Sequence, residues 1–304
     1  MIRLILLSLL IFSPLTAIES FIELKVNNEI ITNIDLDNEA RYLFALNNEL
    51  ESADKKTLTR LAKESIIKEK IKKNELLKYY RLDSTEVLLD EIIKEYYKKL
   101  NIKNLKDFET YLKKYNLEMK IIKQKIEIEL LWNRLIGLKY QNQINVNEEK
   151  LKKQVDEFYN NNELVTEYNL SEIIFQIEND NDLNNKINLI QKDINDQGFK
   201  NAANIHSIAD SSKFGGEIGW VNEKQLSKEI SLAIQELKIN EVSKPIRVTN
   251  GFLILKIENR KQNKIETNKV KLLEQTIAYE TNKQYRQFSI IYFNKIKLNS
   301  TISE

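Results

Sequence analysis

Turn-forming residues are distributed very unevenly along this chain, and that distribution limits what it can fold into. Between Ile18 and Gln197 there is a single glycine, Gly137, and no proline, whereas the other five glycines fall between Gly198 and Gly251. Three of them lie in one string, Gly215-Gly216-Glu217-Ile218-Gly219-Trp220-Val221. Glycine reaches positive φ without a steric penalty, so a Gly-Gly pair followed by Gly-Trp marks a tight turn feeding a strand. A long stretch with neither breaker is written for helices. The chain therefore reads as a helical body with one compact, turn-rich unit inside it.

Composition narrows the function classes. Charged residues make up 30% and apolar residues 42% of the 304, as in folded, water-facing helical protein. The net charge of +2 argues against a general nucleic-acid surface. Cysteine is absent, which removes disulfides, zinc-thiolate sites and cysteine nucleophiles. The one histidine, His206, removes most multi-histidine metal sites, so no metal is expected. No phosphate-binding loop of the P-loop type is present, and no nucleotide or other cofactor is expected.

The first residues follow the plan of a secretory signal. Arg3 supplies the positive charge, Leu4 to Phe12 is nearly all apolar, and Pro14 and Ala17 stand at the breaker and small-residue positions. The apolar stretch is shorter than the ~20 residues that a spanning helix needs. Residues 1–17 are thus expected to be a signal peptide, cut after Ala17, with the mature chain exported.

Hydropathy patterning gives the order of elements. Phe21 to Val26 and Glu29 to Thr32 alternate as two strands around Asn27-Asn28, and Asn33 or Asp35 is placed to cap the helix that follows. Helical stripes then recur: Leu58, Leu61, Ala62 and Ile66; Val87, Leu88, Ile92 and Tyr96, after Asp83 or Ser84; Phe108, Tyr111 and Leu112, after Asn104; and Ile128, Leu131, Trp132 and Leu135. Asn147 caps a further helix to Tyr159, and Asn160-Asn161-Asn162 reads as a polar hinge. Beyond it come a strand (166–176), helices over 182–196 and 199–205, the glycine turn, a helix over 225–237, and strands at 246–248 and 252–257. That order is α+β with a small antiparallel sheet rather than a doubly wound one. Residues 268–298 read as a long helix with an aromatic-rich face of Tyr279, Tyr285, Phe288, Ile291, Tyr292 and Ile296. A face so apolar needs a partner, and the N-terminal helices are the simplest one.

The glycine string, the segment Leu237-Lys238-Ile239-Asn240-Glu241-Val242-Ser243-Lys244-Pro245 and the closing Gly251-Phe252-Leu253 strand resemble the parvulin-type peptidyl-prolyl isomerase (rotamase) domain. Together with the leader, the strand-turn-strand start Val26 to Leu36, the helices and the final long helix, the chain is similar to the SurA family of periplasmic chaperones for outer-membrane proteins. The resemblance implies a helical chaperone domain over 18–160, a parvulin-like domain over 165–261 and a C-terminal helix over 266–304 that packs back on the first domain. It implies a periplasmic location, unfolded outer-membrane proteins as partners through extended, aromatic-rich or proline-containing segments, no nucleic acid, and no stable membrane insertion after signal removal.

The resemblance also identifies the site positions. The family's first-strand histidine falls at Glu172, its second histidine at Leu253, and its Cys or Asp before the turn at Ala209, with Asp210 one place away. Its proline-ring contacts map onto Ile218, Leu226 and Ile230, all apolar here. Three polar roles are therefore altered while the pocket is kept, which implies a peptide-binding module with weak or absent isomerase activity; the alternative is an active prolyl isomerase. Glu172 reads as a strand-end acid bonded within the domain, Asp210 as a turn cap, His206 as a structural or surface histidine, and Trp220 as core packing beside the sheet.

Overall fold

The computed structural model describes residues 20–47, 50, 53–82, 86–160, 164–177, 182–249, 251–264 and 269–303. The expected signal segment, the caps at Asp83 or Ser84 and most of the polar hinge lie outside the described residues.

Strands β1 (Ile22–Val26) and β2 (Glu29–Thr32) form a hairpin, with Asn27 at φ 53° in its turn. Helix α1 (Asn33–Leu46) follows directly. Its cap is Thr32, not Asn33 or Asp35: Thr32 Oγ1 accepts from the Asp35 amide, while the Thr32 amide donates to Asp35 Oδ2. This is a reciprocal capping box, which satisfies two backbone donors where a lone cap satisfies one. Helices α2 (Lys55–Leu76), α3 (Glu86–Lys99), α4 (Leu105–Lys114) and α5 (Met119–Tyr140) complete the body. Asn104 caps α4 through the Asp107 amide, and Asn147 caps α6 (Glu148–Asn160) through the Lys150 amide. Tyr42, Leu61, Ile93, Phe108 and Ile126 are among the buried side chains that join α1 to α5.

The second unit is a four-stranded antiparallel sheet of order β4-β3-β6-β5, made of β3 (Leu164–Phe175), β4 (Glu217–Asn222), β5 (Ile246–Val248) and β6 (Gly251–Lys264). Its two faces follow the two-residue period of a strand. Ile173, Phe175 and Ile254 pack under α7 (Leu183–Gln197) and α8 (Phe199–His206). Leu170, Ile174, Leu253, Leu255 and Ile257 face the other way, towards α9 (Lys228–Ile234). The helix expected over 225–237 is shorter than its pattern: Glu223–Gln225 is a 3-10 turn, and Ser227 caps α9 through the Ile230 amide.

Helix α10 (Lys269–Leu298) returns to the body. Tyr292 and partly buried Phe288 pack with Trp132, Leu131 and Leu135 of α5, and Trp132 Nε1 donates to Ser289 Oγ (2.8 Å). After α10, the two-residue strand β7 (Ile302–Ser303) adds to β1, so the first and last described segments share one sheet of order β2-β1-β7. Nothing in the composition of the last residues marks them as a strand; pairing with β1 makes them one. Among the described residues no helix is long and apolar enough to cross a membrane.

Candidate prolyl-peptide site

The site lies on the α9-facing side of the sheet. The backbone creates it through a glycine turn and a bulge. Gly216 has φ 81°, and a Cβ there would stand 2.3 Å from the Glu172 carbonyl oxygen. The close approach lets the Glu172 amide donate to the Gly216 carbonyl (2.8 Å), locking the turn to β3. One step on, Leu170 pairs with Gly219 and Ser171 with Glu217, so Ile218 is the extra residue of a β-bulge. Bulges re-aim a side chain. Here Ile218 packs with Leu226 and Ile230 against the buried cluster of Tyr168, Leu170, Leu253 and Leu255. The three pocket positions named from the sequence are thus brought together.

The polar positions are distributed differently. Glu172 and Leu253 stand on neighbouring strands and on the same face: Glu172 pairs with Leu255 and Ile174 with Leu253. Leu253 is buried as part of the hydrophobic cluster, with no polar atom to offer. Glu172 is buried, and its Oε1 accepts a hydrogen bond from Ser211 Oγ (2.9 Å). Burial pushes its carboxyl above the ordinary carboxylate range; Arg286 on α10 and the Ser211 hydroxyl oppose that rise. Ala209 is buried at the start of a 3-10 turn, Asp210–Phe214, and offers only its methyl group. Ser211 and Arg286 carry no signal in the linear sequence. Ser211 is one of several serines, and Arg286 belongs to a helix far downstream.

Asp210 faces away from the pocket, towards the helical body. Its Oδ1 lies 3.1 Å from Lys68 Nζ and 3.6 Å from Lys72 Nζ, both on α2. Next to it, Lys213 Nζ donates to Glu129 Oε1 of α5 (2.7 Å), and Lys72 holds the other oxygen of that carboxylate. Burial alone would raise the Glu129 carboxyl, but the surrounding ammonium groups outweigh it, and they act on the half-exposed Asp210 in the same direction. Glu129 is held down at about 2, mainly by Lys213 and Lys72, and Asp210 is held well below the usual range by Lys72, Lys68 and Lys213. Phe214 completes the contact, edge-on to Tyr96 at 5.2 Å and under the Lys99 ammonium at 4.6 Å. The loop that precedes the glycine turn is therefore a docking element. Its acid is taken up in an ion cluster with the body.

His206 lies outside the site. Its Nε2–H donates to Asp193 Oδ2 (2.7 Å), which leaves Nδ1 to accept from Lys186 (3.4 Å). Burial lowers its pKa to about 4, so it is neutral at ordinary pH. Trp220 differs from the expectation of core packing. It is 45% exposed, with the Lys261 ammonium 4.3 Å from its ring centroid, because after the bulge Val221 takes the inward position on β4 and Trp220 is turned outward.

Residues 169–259 match the rotamase family, the PPIC-type PPIASE domain. Chaperone SurA of Pseudomonas putida is 24% identical over 166 residues, covering 52% of this chain and 39% of that protein. Chaperone SurA of Pseudomonas aeruginosa is 26% identical over 165 residues, covering 52% of this chain and 40% of that one. The matches thus span about two fifths of the length of these curated relatives. A solved chain from Campylobacter jejuni, one of the SurA-like chaperones PEB4 and Cj1289, aligns at 16% identity over 93% of this chain and 98% of that one, with a TM-score of 0.37. The protein therefore carries a PPIC-type rotamase domain over residues 169–259 and is similar to chaperone SurA over about half of its length.

Proposed function

We propose that this protein is a periplasmic chaperone that holds unfolded outer-membrane proteins, and that its rotamase domain serves mainly as a peptide-binding module with weak or absent isomerase activity. The observation that carries the reading is the chemistry of the Glu172 face. Where the family sets polar groups around the prolyl amide, this chain has Leu253 and Ala209, and its sole histidine is engaged by Asp193 and Lys186 elsewhere. Ile218, Leu226 and Ile230 pack on one buried apolar cluster, which supports the reading of these three as a prolyl pocket.

Prolyl isomerisation needs no covalent step. The barrier to amide rotation is ~18–20 kcal/mol, and a site lowers it by desolvating the bond and favouring its twisted form. An apolar pocket supplies the first effect. Fixed, oriented polar groups supply the second, and removing them lowers the rate steeply. Binding without fast turnover is what the remaining residues support. Extended client segments would be held by apolar contact and strand-edge hydrogen bonds, without a nucleotide cycle.

A second reading, an active isomerase, is favoured by one observation: Glu172 is a buried carboxyl on the pocket face, with its proton affinity raised. One experiment separates the two. Cis/trans exchange in a proline peptide and suppression of aggregation of an unfolded barrel protein are measured on the same preparation. Clear suppression with little acceleration of exchange is expected. Strong acceleration that is abolished by Glu172→Ala would establish the enzyme instead, and no suppression would remove the chaperone reading.

A further inference from the structure

Helix α10 presents two different faces, and only one of them is explained by the helical body. Tyr285, Phe288, Ser289, Tyr292 and Ile296 meet α2 and α5. The other face meets the rotamase domain. Tyr279 packs on the same cluster as Ile218, Leu226 and Ile230. Lys283 lies close enough to Glu229, at the start of α9, to favour its ionised form, and Arg286 does the same for Glu172. Gln287 Nε2 donates to Thr249 Oγ1 (3.3 Å), and Asn294 Nδ2 donates to Gln176 Oε1 (3.0 Å). At ~100° per residue, Tyr279, Lys283, Arg286, Gln287 and Asn294 fall within an arc of roughly 100° on the helix surface. A single stripe of α10 thus runs from the pocket, past Glu172, to the β5–β6 turn and the end of β3.

The side chain at the pocket end of this stripe is an aromatic ring. Tyr279 is half-buried, and burial holds its hydroxyl protonated. A neutral, planar, mostly apolar side chain is a fair match for a pocket that accepts a proline ring. The geometry points to self-occlusion: Tyr279 of α10 occupies the prolyl pocket of the chain's own rotamase domain, and a proline-containing peptide enters when this side chain withdraws. This rests on the reading of Ile218, Leu226 and Ile230 as the prolyl pocket. The physical consequence is a reduced apparent affinity. When the binding-competent state is a fraction of the population, the apparent dissociation constant rises by the inverse of that fraction. Client binding elsewhere on the chain that shifts α10 would open the pocket, which couples the two sites through one helix.

The test uses the full chain and a fluorescein-labelled Ala-Leu-Pro-Phe peptide, read by anisotropy, with folding of each variant checked by circular dichroism. Tyr279→Ala is expected to bind the peptide roughly tenfold more tightly than the unmodified chain, as for a pocket open in about a tenth of molecules or fewer. Adding Ile218→Asp to that variant is expected to abolish binding. Equal affinities with and without Tyr279, both lost on Ile218→Asp, would leave the pocket reading standing and overturn the occlusion. Weaker binding by Tyr279→Ala would also overturn it, since Tyr279 would then be part of the wall that holds the peptide. No binding by any variant would overturn the pocket reading, and the occlusion with it. A second measurement does not depend on the Ala variant folding. In fluorotyrosine-labelled protein, with the signal assigned through Tyr279→Phe, saturating peptide should move the Tyr279 resonance to its solvent-exposed position. A bound peptide that leaves this resonance unmoved refutes the proposal.

Discussion

Glu129→Ala is the substitution for which the structure gives the clearest magnitude. Glu129 receives Lys213 of the rotamase domain on one oxygen and Lys72 of α2 on the other. The Lys72 side chain is 1% exposed, so it has no water to turn to when its carboxylate is gone. Removing one member of a buried ion pair costs about 3–5 kcal/mol; the lower end applies here, because Lys72 keeps its longer contact to Asp210 (3.6 Å). A second route gives a similar figure. The Glu129 carboxyl is lowered from 4.5 to about 2, and at ~1.4 kcal/mol per pH unit that gap corresponds to about 3 kcal/mol. The sign follows from the lowered value: the contribution is full above 4.5 and is lost as pH falls through about 2. The assay is urea unfolding followed by the emission of Trp132, which is fully buried beside Lys72, in a Trp220→Phe background that removes the exposed tryptophan. A loss of about 3 kcal/mol in unfolding free energy is expected at pH 7. Glu129→Ala combined with Lys72→Met should recover part of it, since an apolar side chain leaves no buried charge at that position. A loss below about 1 kcal/mol, or no recovery in the double variant, would refute the claim that the docked charges are mutually dependent.

Gly216→Ala should cost at least about 2 kcal/mol in the rotamase domain, measured by thermal unfolding, because the residue has φ 81° and its Cβ would collide with the Glu172 carbonyl. Stability should fall as pH drops from 6.5 towards 4, by up to about 3 kcal/mol, because His206 titrates near 4 when folded and near 6.5 when unfolded; His206→Gln should flatten that limb of the melting-temperature profile. Glu172 has the opposite linkage: its carboxyl is raised in the folded chain, so it subtracts stability as pH rises above 4.5, and Glu172→Gln should melt higher than the unmodified chain at pH 7 but not at pH 3.5.

Much of the local structure is legible in the sequence for simple reasons. The two-residue alternation of Phe21 to Val26, the asparagines at 104 and 147 before helical stripes, and the glycine string each act over a few residues, and the structure places β1, two capped helices and a turn there. Cap choice at Thr32 was less legible, because Thr, Asn and Asp stand close together and only the reciprocal bond selects among them. The outward turn of Trp220 depends on the bulge at Ile218, which is a property of the β3–β4 pairing and not of either strand alone.

The sequence by itself determined that a helical chain carries one glycine-punctuated α+β unit and that no imidazole pair can operate there. These are consequences of residue type and short spacing. Tertiary structure alone decided where Asp210 points, that Ser211 and Arg286 attend Glu172, and that Tyr279 packs on the same buried cluster as Ile218, Leu226 and Ile230. Each of those contacts joins segments far apart in the chain, and a helix face does not announce its partner: the same aromatic stripe could have packed wholly on the body. The docking of two separately cored units set the partner, and with it the electrostatics of the site.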